Sequence, residues 1–277
     1  MTPILAFALA LTPLPPGLNE FSRLSGRSGS LANIRRASAA ALGRALADGV
    51  QLLEVEFPPL LETKTQFDDF SNVEVLDANR DFAIELALEP ELRETAPDDS
   101  LWLIFADAGE ADLAREAWPG KAYRAATQTS IAAAVPIGRS SLFGGAPPPP
   151  PPPAPPPSLQ LCVQPGDGGP MEDWLNLELL RTDGVPLVCV NGALDKVCSG
   201  YYSNFLNPKL GECAARFFDR FDQAYYLKPI GSGRGWLFRV YGEPWQLFRQ
   251  TREDLELAET YEARPTPAEC VERLKRP

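Results

Sequence analysis

Asp107, the turn Gly166-Asp167-Gly168-Gly169 and the pair Asn191-Gly192 are the residues of this chain best placed to do chemistry. Each follows a short apolar run, at residues 101–106, 159–163 and 185–190. If those runs are strands of an open α/β sheet, the three groups gather at the carboxyl ends of the strands, where such sheets hold ligands. Glycines there let the backbone approach a phosphate, and the N-terminus of a following helix favours an anion. On that reading Asp107, Gly166, Gly168 and Asn191 form a ligand-binding set. The opposing reading is a plain turn, with Asp107 as the N-cap of the next helix. Asp167, Glu172 and Asp173 crowd the same helix start with negative charge, so the turn is favoured over a phosphate or nucleotide site.

Other chemistries are narrower still. The chain has no histidine. That excludes Ser-His-Asp and Cys-His hydrolysis, His-ligated zinc and His proton shuttles. Cys162 and Cys189 lie in apolar runs, as buried structural thiols do, and no Cys-x-x-Cys occurs. The loop Gly231-Ser232-Gly233-Arg234-Gly235 could cradle an anion, but a hairpin loop is the simpler reading. Glu54 and Glu56 alternate with Leu53 and Val55, so they are expected on the solvated side of an edge strand. No catalytic residue, metal or cofactor is assigned. The formal charge, 26 − 37 = −11, disfavours nucleic acid as a partner.

The elements that must position these residues alternate along the chain. Periodicity predicts a helix over 33–47, with Gly49 just past its end, and a strand over 50–57. A helix capped by Asp77 follows to about Leu88, then the strand at 101–106 and a helix over 109–118. Residues 122–135 carry a further strand. Strand 159–163, helix 170–181, strand 185–190 and helix 212–221 come next. Two aromatic-rich strands at 225–248 make a hairpin. Polar helical pieces at 253–262 and 267–276 end the chain. This alternation predicts an α/β fold: a single three-layer domain with a central, mostly parallel sheet and a C-terminal antiparallel hairpin. The predicted boundaries are 1–28 for a targeting-like segment, 29–250 for the domain and 251–277 for a polar helical tail.

Two segments stand apart. Residues 3–14 form an apolar run too short to span a bilayer as a helix, and an acid-free, Arg- and Ser-rich stretch follows from Phe21. A signal followed by a transit-like segment is the layout of an address to a complex plastid. No later segment reaches transmembrane length. Residues 146–158 are proline-rich, with proline at every position from 147 to 157 except Ala154. Such a run takes extended polyproline II and reads as a stiff insert in a surface loop.

Four blocks, in order, carry a resemblance to a known family. They are residues 45–58 (Ala-Leu-Ala-Asp-Gly-Val-Gln-Leu-Leu-Glu-Val-Glu-Phe-Pro), Phe105-Ala106-Asp107-Ala108-Gly109 with Ala114 and Trp118, Val188-Cys189-Val190-Asn191, and Arg216-Phe217-Phe218 through Tyr226-Leu227-Lys228-Pro229 to Trp245. From about Asn33 to Phe248 the chain resembles the DUF1995 domain family of cyanobacteria and plastids. Ala106 and Gly192 depart from it, standing where proline is usual. The family includes chloroplast Low PSII Accumulation 3-like proteins, implicated in assembling photosystem II. The resemblance therefore implies a non-enzymatic plastid auxiliary protein that binds other proteins, with a photosystem II subunit or assembly factor as partner. Its place would be the chloroplast stroma, with at most peripheral thylakoid association. Other plant members are fused to an adenylate kinase, but this chain has no Gly-x-x-x-x-Gly-Lys-[Ser/Thr] loop. The alternative is a small-molecule or nucleotide-binding enzyme using the strand-end crevice. For protein docking, Tyr241 and Trp245 are the expected interface residues, Trp245 above all because it follows the Pro244 break.

Overall fold

The apolar runs become strands of one nine-stranded sheet, in the order β3-β2-β4-β5-β1-β6-β7-β8-β9. The computed structural model describes Pro15, Leu18 and residues 31–60, 72–96, 100–118, 126–135, 156–166, 171–198, 207–252 and 254–276. The strands are β1 (Leu52–Glu56), β2 (Leu101–Phe105), β3 (Thr127–Ser130), β4 (Leu159–Val163), β5 (Leu187–Val190), β6 (Asp222–Ile230), β7 (Gly235–Val240), β8 (Trp245–Gln250) and β9 (Leu255–Tyr261). The first six pair in parallel. β6 to β9 form an antiparallel meander. The mostly parallel sheet is as expected, but the expected hairpin is the middle of a longer meander.

Helices flank the sheet on both faces, which makes three layers. They are α1 (Ala32–Ala47), α2 (Asn72–Ala87), α3 (Pro90–Thr95), α4 (Ala108–Ala117), α5 (Ile131–Ala134), α6 (Met171–Leu180), α7 (Leu194–Cys198), α8 (Pro208–Arg216) and α9 (Pro267–Lys275). Crossovers that move toward β3 use α2 to α4 and pack in one core with Leu53, Val55, Leu103 and Phe105. Crossovers that return use α5 to α8 and pack in a second core with Leu52, Trp102, Ile104 and Cys189. Right-handed crossovers require this segregation of faces. Helix α9 covers a third, smaller core around Tyr226, Leu237, Trp245 and Leu247.

Several boundaries differ from those predicted. Asp77 is not an N-cap: α2 starts at Asn72, and Asp77 lies inside it, paired with Arg80. The helix at 212–221 is α8, opened by Pro208 at its first turn, then a 3-10 turn at Phe218–Arg220. The predicted helical piece at 253–262 is not helical over its described residues, 254–262. Its charges suggested a solvated helix, yet Leu255–Tyr261 pairs with the free edge of β8. Its exposed Glu256 and Glu259 then blunt the new sheet edge against further pairing. With α9 capped by a Thr266–Glu269 capping box, residues expected as a tail complete the sheet instead. Gly49, past the end of α1, has φ +80, as its predicted role after the helix demands.

Leu18 is fully buried in the first core. It falls inside the stretch expected to be an address, so a cut beyond it would vacate a core position. Apart from Pro15 and Leu18, residues 1–28 lie outside the described residues, as does the proline insert up to residue 155. Among the described residues the cysteines form no disulfide; Cys162, Cys189, Cys213 and Cys270 are buried and Cys198 is exposed.

Candidate functional site

The strand-end crevice is filled by the protein's own side chains. Asp107 is the N-cap of α4: its Oδ1 accepts the Glu110 backbone N–H at 3.0 Å. Gly166 is buried, and a Cβ there would run into the indole of Trp174. The Trp174 Nε1–H in turn donates to the Gly192 carbonyl at 3.0 Å. Gly168 lies outside the described residues. Asn191 sits in the left-handed region at φ 49, beside Ala193 at φ 50, with Gln164 at φ 44 after the neighbouring β4. Its Oδ1 accepts the Phe57 backbone N–H at 2.8 Å, and its Nδ2 donates to Asn79 Oδ1 at 2.6 Å. Asn79 donates on to Gln164. A buried amide relay from α2 thus ties β1, β4 and β5 together. Of the predicted ligand set, the structure joins Gly166 and Asn191 through Trp174 and Gly192, and gives Asp107 a capping role.

The polar chemistry lies on the other side of β1. Because β1 sits between β5 and β6, both of its faces are covered. Leu53 and Val55 enter the first core, so Glu54 and Glu56 must point into the opposite layer, where they are 1% and 8% exposed. The expectation of an edge strand with solvated glutamates is overturned by the strand order. A β-bulge in β6 completes the arrangement. Glu54 pairs with Gln223 but Val55 with Tyr225, leaving Ala224 as the extra residue. The bulge moves Tyr226 and Lys228 onto the face that Gln223 already shares with the glutamates.

The result is a polar seam between the second and third cores. Glu54 Oε2 accepts from Gln223 at 3.2 Å. Glu56 Oε2 accepts the Ala193 N–H at 3.2 Å, and its Oε1 lies 3.7 Å from Lys228 Nζ. Lys228 also contacts both Asp195 oxygens, at 2.8 and 2.7 Å. Arg264 donates to the Tyr226 hydroxyl at 2.8 Å and stacks over the rings of Tyr226 and Trp245. A cleft of about 310 Å³ opens beside the seam, lined by Glu54, Gln223, Arg264, Asp219 and the apolar Leu194, Phe218 and Phe221 with Cys198.

Burial pushes the Glu56 carboxyl up to about 7, against the pull of Lys228. Burial pushes Glu54 up as well. Desolvation would lower Lys228, but Glu56 and Asp195 outweigh it and hold the ammonium above its ordinary range. A buried carboxyl that holds its proton up to about pH 7, with a second carboxyl and a fixed cation beside it, suits proton exchange or capture of a cation. Replacing Lys228 with methionine leaves Glu56 and Asp195 without it. The expected loss is about 2 kcal/mol at pH 8, below the cost of breaking a fully buried pair. Side-chain exposures of 27% for Lys228 and 25% for Asp195 are the reason. At pH 5, where Glu56 takes up a proton, the loss should be smaller; urea titrations at both pH values check this.

The two aromatic interface candidates fare differently. Trp245 is 2% exposed, edge-on to Tyr226 at 5.2 Å, so it is a core residue and not a docking surface. The Pro244 break did not release it, because β8 begins at Trp245 and turns it under α9. Tyr241 is half-buried against the first core, its hydroxyl bonded to Asp48. The Gly231 loop is a turn closed by Arg234 N–H donating to Ile230 O at 3.1 Å.

The profile of the family described as "Domain of unknown function (DUF1995)" matches residues 29–272. The chain belongs to the DUF1995 family. The DUF1995 span runs from before α1 into α9, so it takes in every residue of the seam from Glu54 to Arg264. No match was found among curated proteins or among solved structures. The seam was missed from sequence because Arg264 and Asp195 lie far from Glu54 along the chain. The signal that could have found it is Glu-x-Glu inside an otherwise apolar strand.

Proposed function

We propose that this DUF1995 protein is a non-enzymatic plastid auxiliary factor that binds other proteins and assists photosystem II assembly or accumulation. The observation that carries the reading is the filled strand-end crevice. Trp174 and the Asn79–Gln164–Asn191 relay occupy the place where an α/β enzyme would hold its substrate. The resemblance to chloroplast Low PSII Accumulation 3-like proteins and the address-like N-terminus support the plastid setting. The net charge of −11 disfavours anionic membrane and nucleic acid, so attachment to the thylakoid would run through a client protein. Among the described residues no helix is long and apolar enough to cross a membrane.

The docking surface moves from Trp245 to the other face of the meander. Trp236 pairs with Phe248, and Phe248 with Leu257, which sets an apolar row across β7, β8 and β9. Phe248 is buried, Trp236 is half-buried, and Leu257 is 45% exposed at the sheet edge. A client's apolar surface would lie on the outer end of that row. Tagged protein incubated with thylakoid extract should retain photosystem II subunits, and Leu257→Glu should retain several-fold less at unchanged stability. Equal retention by both forms, or no photosystem II subunit on either, would reject the docking site.

A further inference from the structure

We propose that the cleft beside the polar seam binds a small ligand carrying a primary ammonium group on an apolar stem. The leading observation is Glu54 Oε1. It is a buried carboxylate oxygen with no hydrogen-bond partner, and it belongs to a side chain whose residue, Glu54, lines the cleft. A buried acceptor left unpaired is costly, so a donor supplied from the cleft gains more there than at the surface.

The neighbouring cations have their donors directed elsewhere. Lys228 contacts Asp195 and Glu56. Arg264 donates to Tyr226 and stacks on two rings. Gln223 serves the other oxygen of Glu54. The free oxygen therefore calls for a donor from outside.

The cleft walls choose among donors. Glu54 and the exposed Asp219 set two carboxylates against the single guanidinium of Arg264, so an anion is disfavoured and a cation preferred. Leu194, Phe218 and Phe221 offer apolar surface for a hydrocarbon stem, and phenyl faces attract an ammonium as well. Among the described residues no cluster of three or more metal-ligating side chains occurs, so an organic cation fits this lining better than a metal ion. The cleft volume, about 310 Å³, lies at the small end of ligand sites.

The probe is phenethylammonium, titrated calorimetrically into the purified full chain at pH 8, with phenethyl alcohol and 3-phenylpropionate as controls. Saturable binding of the ammonium is expected. The alcohol should bind about tenfold more weakly or less, matching the loss of one charge-assisted hydrogen bond, and the carboxylate should not bind. Glu54→Gln removes the charge but keeps the side chain's shape, and it should weaken the ammonium about tenfold or more. Asp219→Asn, at an exposed position that does not endanger folding, should weaken it a few-fold. No saturable binding of phenethylammonium, equal binding of the alcohol, or unchanged affinity in Glu54→Gln would each overturn the proposal.

Discussion

Replacing Trp174 with alanine should destabilise the fold by about 3–5 kcal/mol, the range for deleting a buried aromatic side chain. The indole is 1% exposed within the second core, packs against Gly166, and bonds the Gly192 carbonyl at the end of β5. Its removal leaves a cavity at the strand ends and an unpaired carbonyl. Trp174→Phe keeps most of the volume and loses the hydrogen bond, so it should cost about 1–2 kcal/mol. Urea denaturation of the two variants separates the effects. A loss under about 1 kcal/mol for Trp174→Ala would mean that the strand-end crevice is not sealed by this residue.

The second large effect is a pH dependence. The folded protein holds the Glu56 proton up to about pH 7, whereas the ordinary carboxyl value is 4.5. Below about 4.5 the side chain is protonated in both states and nothing is lost. As the pH rises from there to about 7, the unfolded chain releases its proton while the folded chain keeps it, and stability falls. Above about 7 the penalty is complete, at about 3 kcal/mol. Glu54, raised in the same direction, adds to the same trend. The stability of Glu56→Gln relative to the parent should therefore rise by about 3 kcal/mol between pH 4 and pH 8. Any fixed cost of the amide beside Lys228 cancels in that difference. Denaturant titrations at several pH values measure it, and a flat difference would show that Glu56 ionises normally in the fold.

The alternation of apolar runs with helical patterns was enough to predict the layers, the parallel sheet and most elements. It worked because strands buried on both faces, such as Leu101–Phe105 and Leu159–Val163, are continuous apolar runs. Strand order was not legible. It depends on which crossovers share a face, and only that order shows β1 to be central and its glutamates buried. The bulge at Ala224 was equally hidden, since one extra residue changes no local pattern yet turns Tyr226 and Lys228 over. β9 was misread because an edge strand needs one apolar contact in two and tolerates charge elsewhere, so its composition matches a solvated helix. At the strand ends the glycine and asparagine positions were correctly found as special. The left-handed backbone of Asn191 and the close packing at Gly166 and Gly192 serve closure of the crevice.

Pulse labelling in a mutant lacking this protein, followed by native gels of thylakoid membranes, tests the proposed function most directly. Photosystem II subunits should be synthesised at near-normal rates, while their passage into assembled photosystem II falls. Normal accumulation of assembled photosystem II in that mutant would contradict the account.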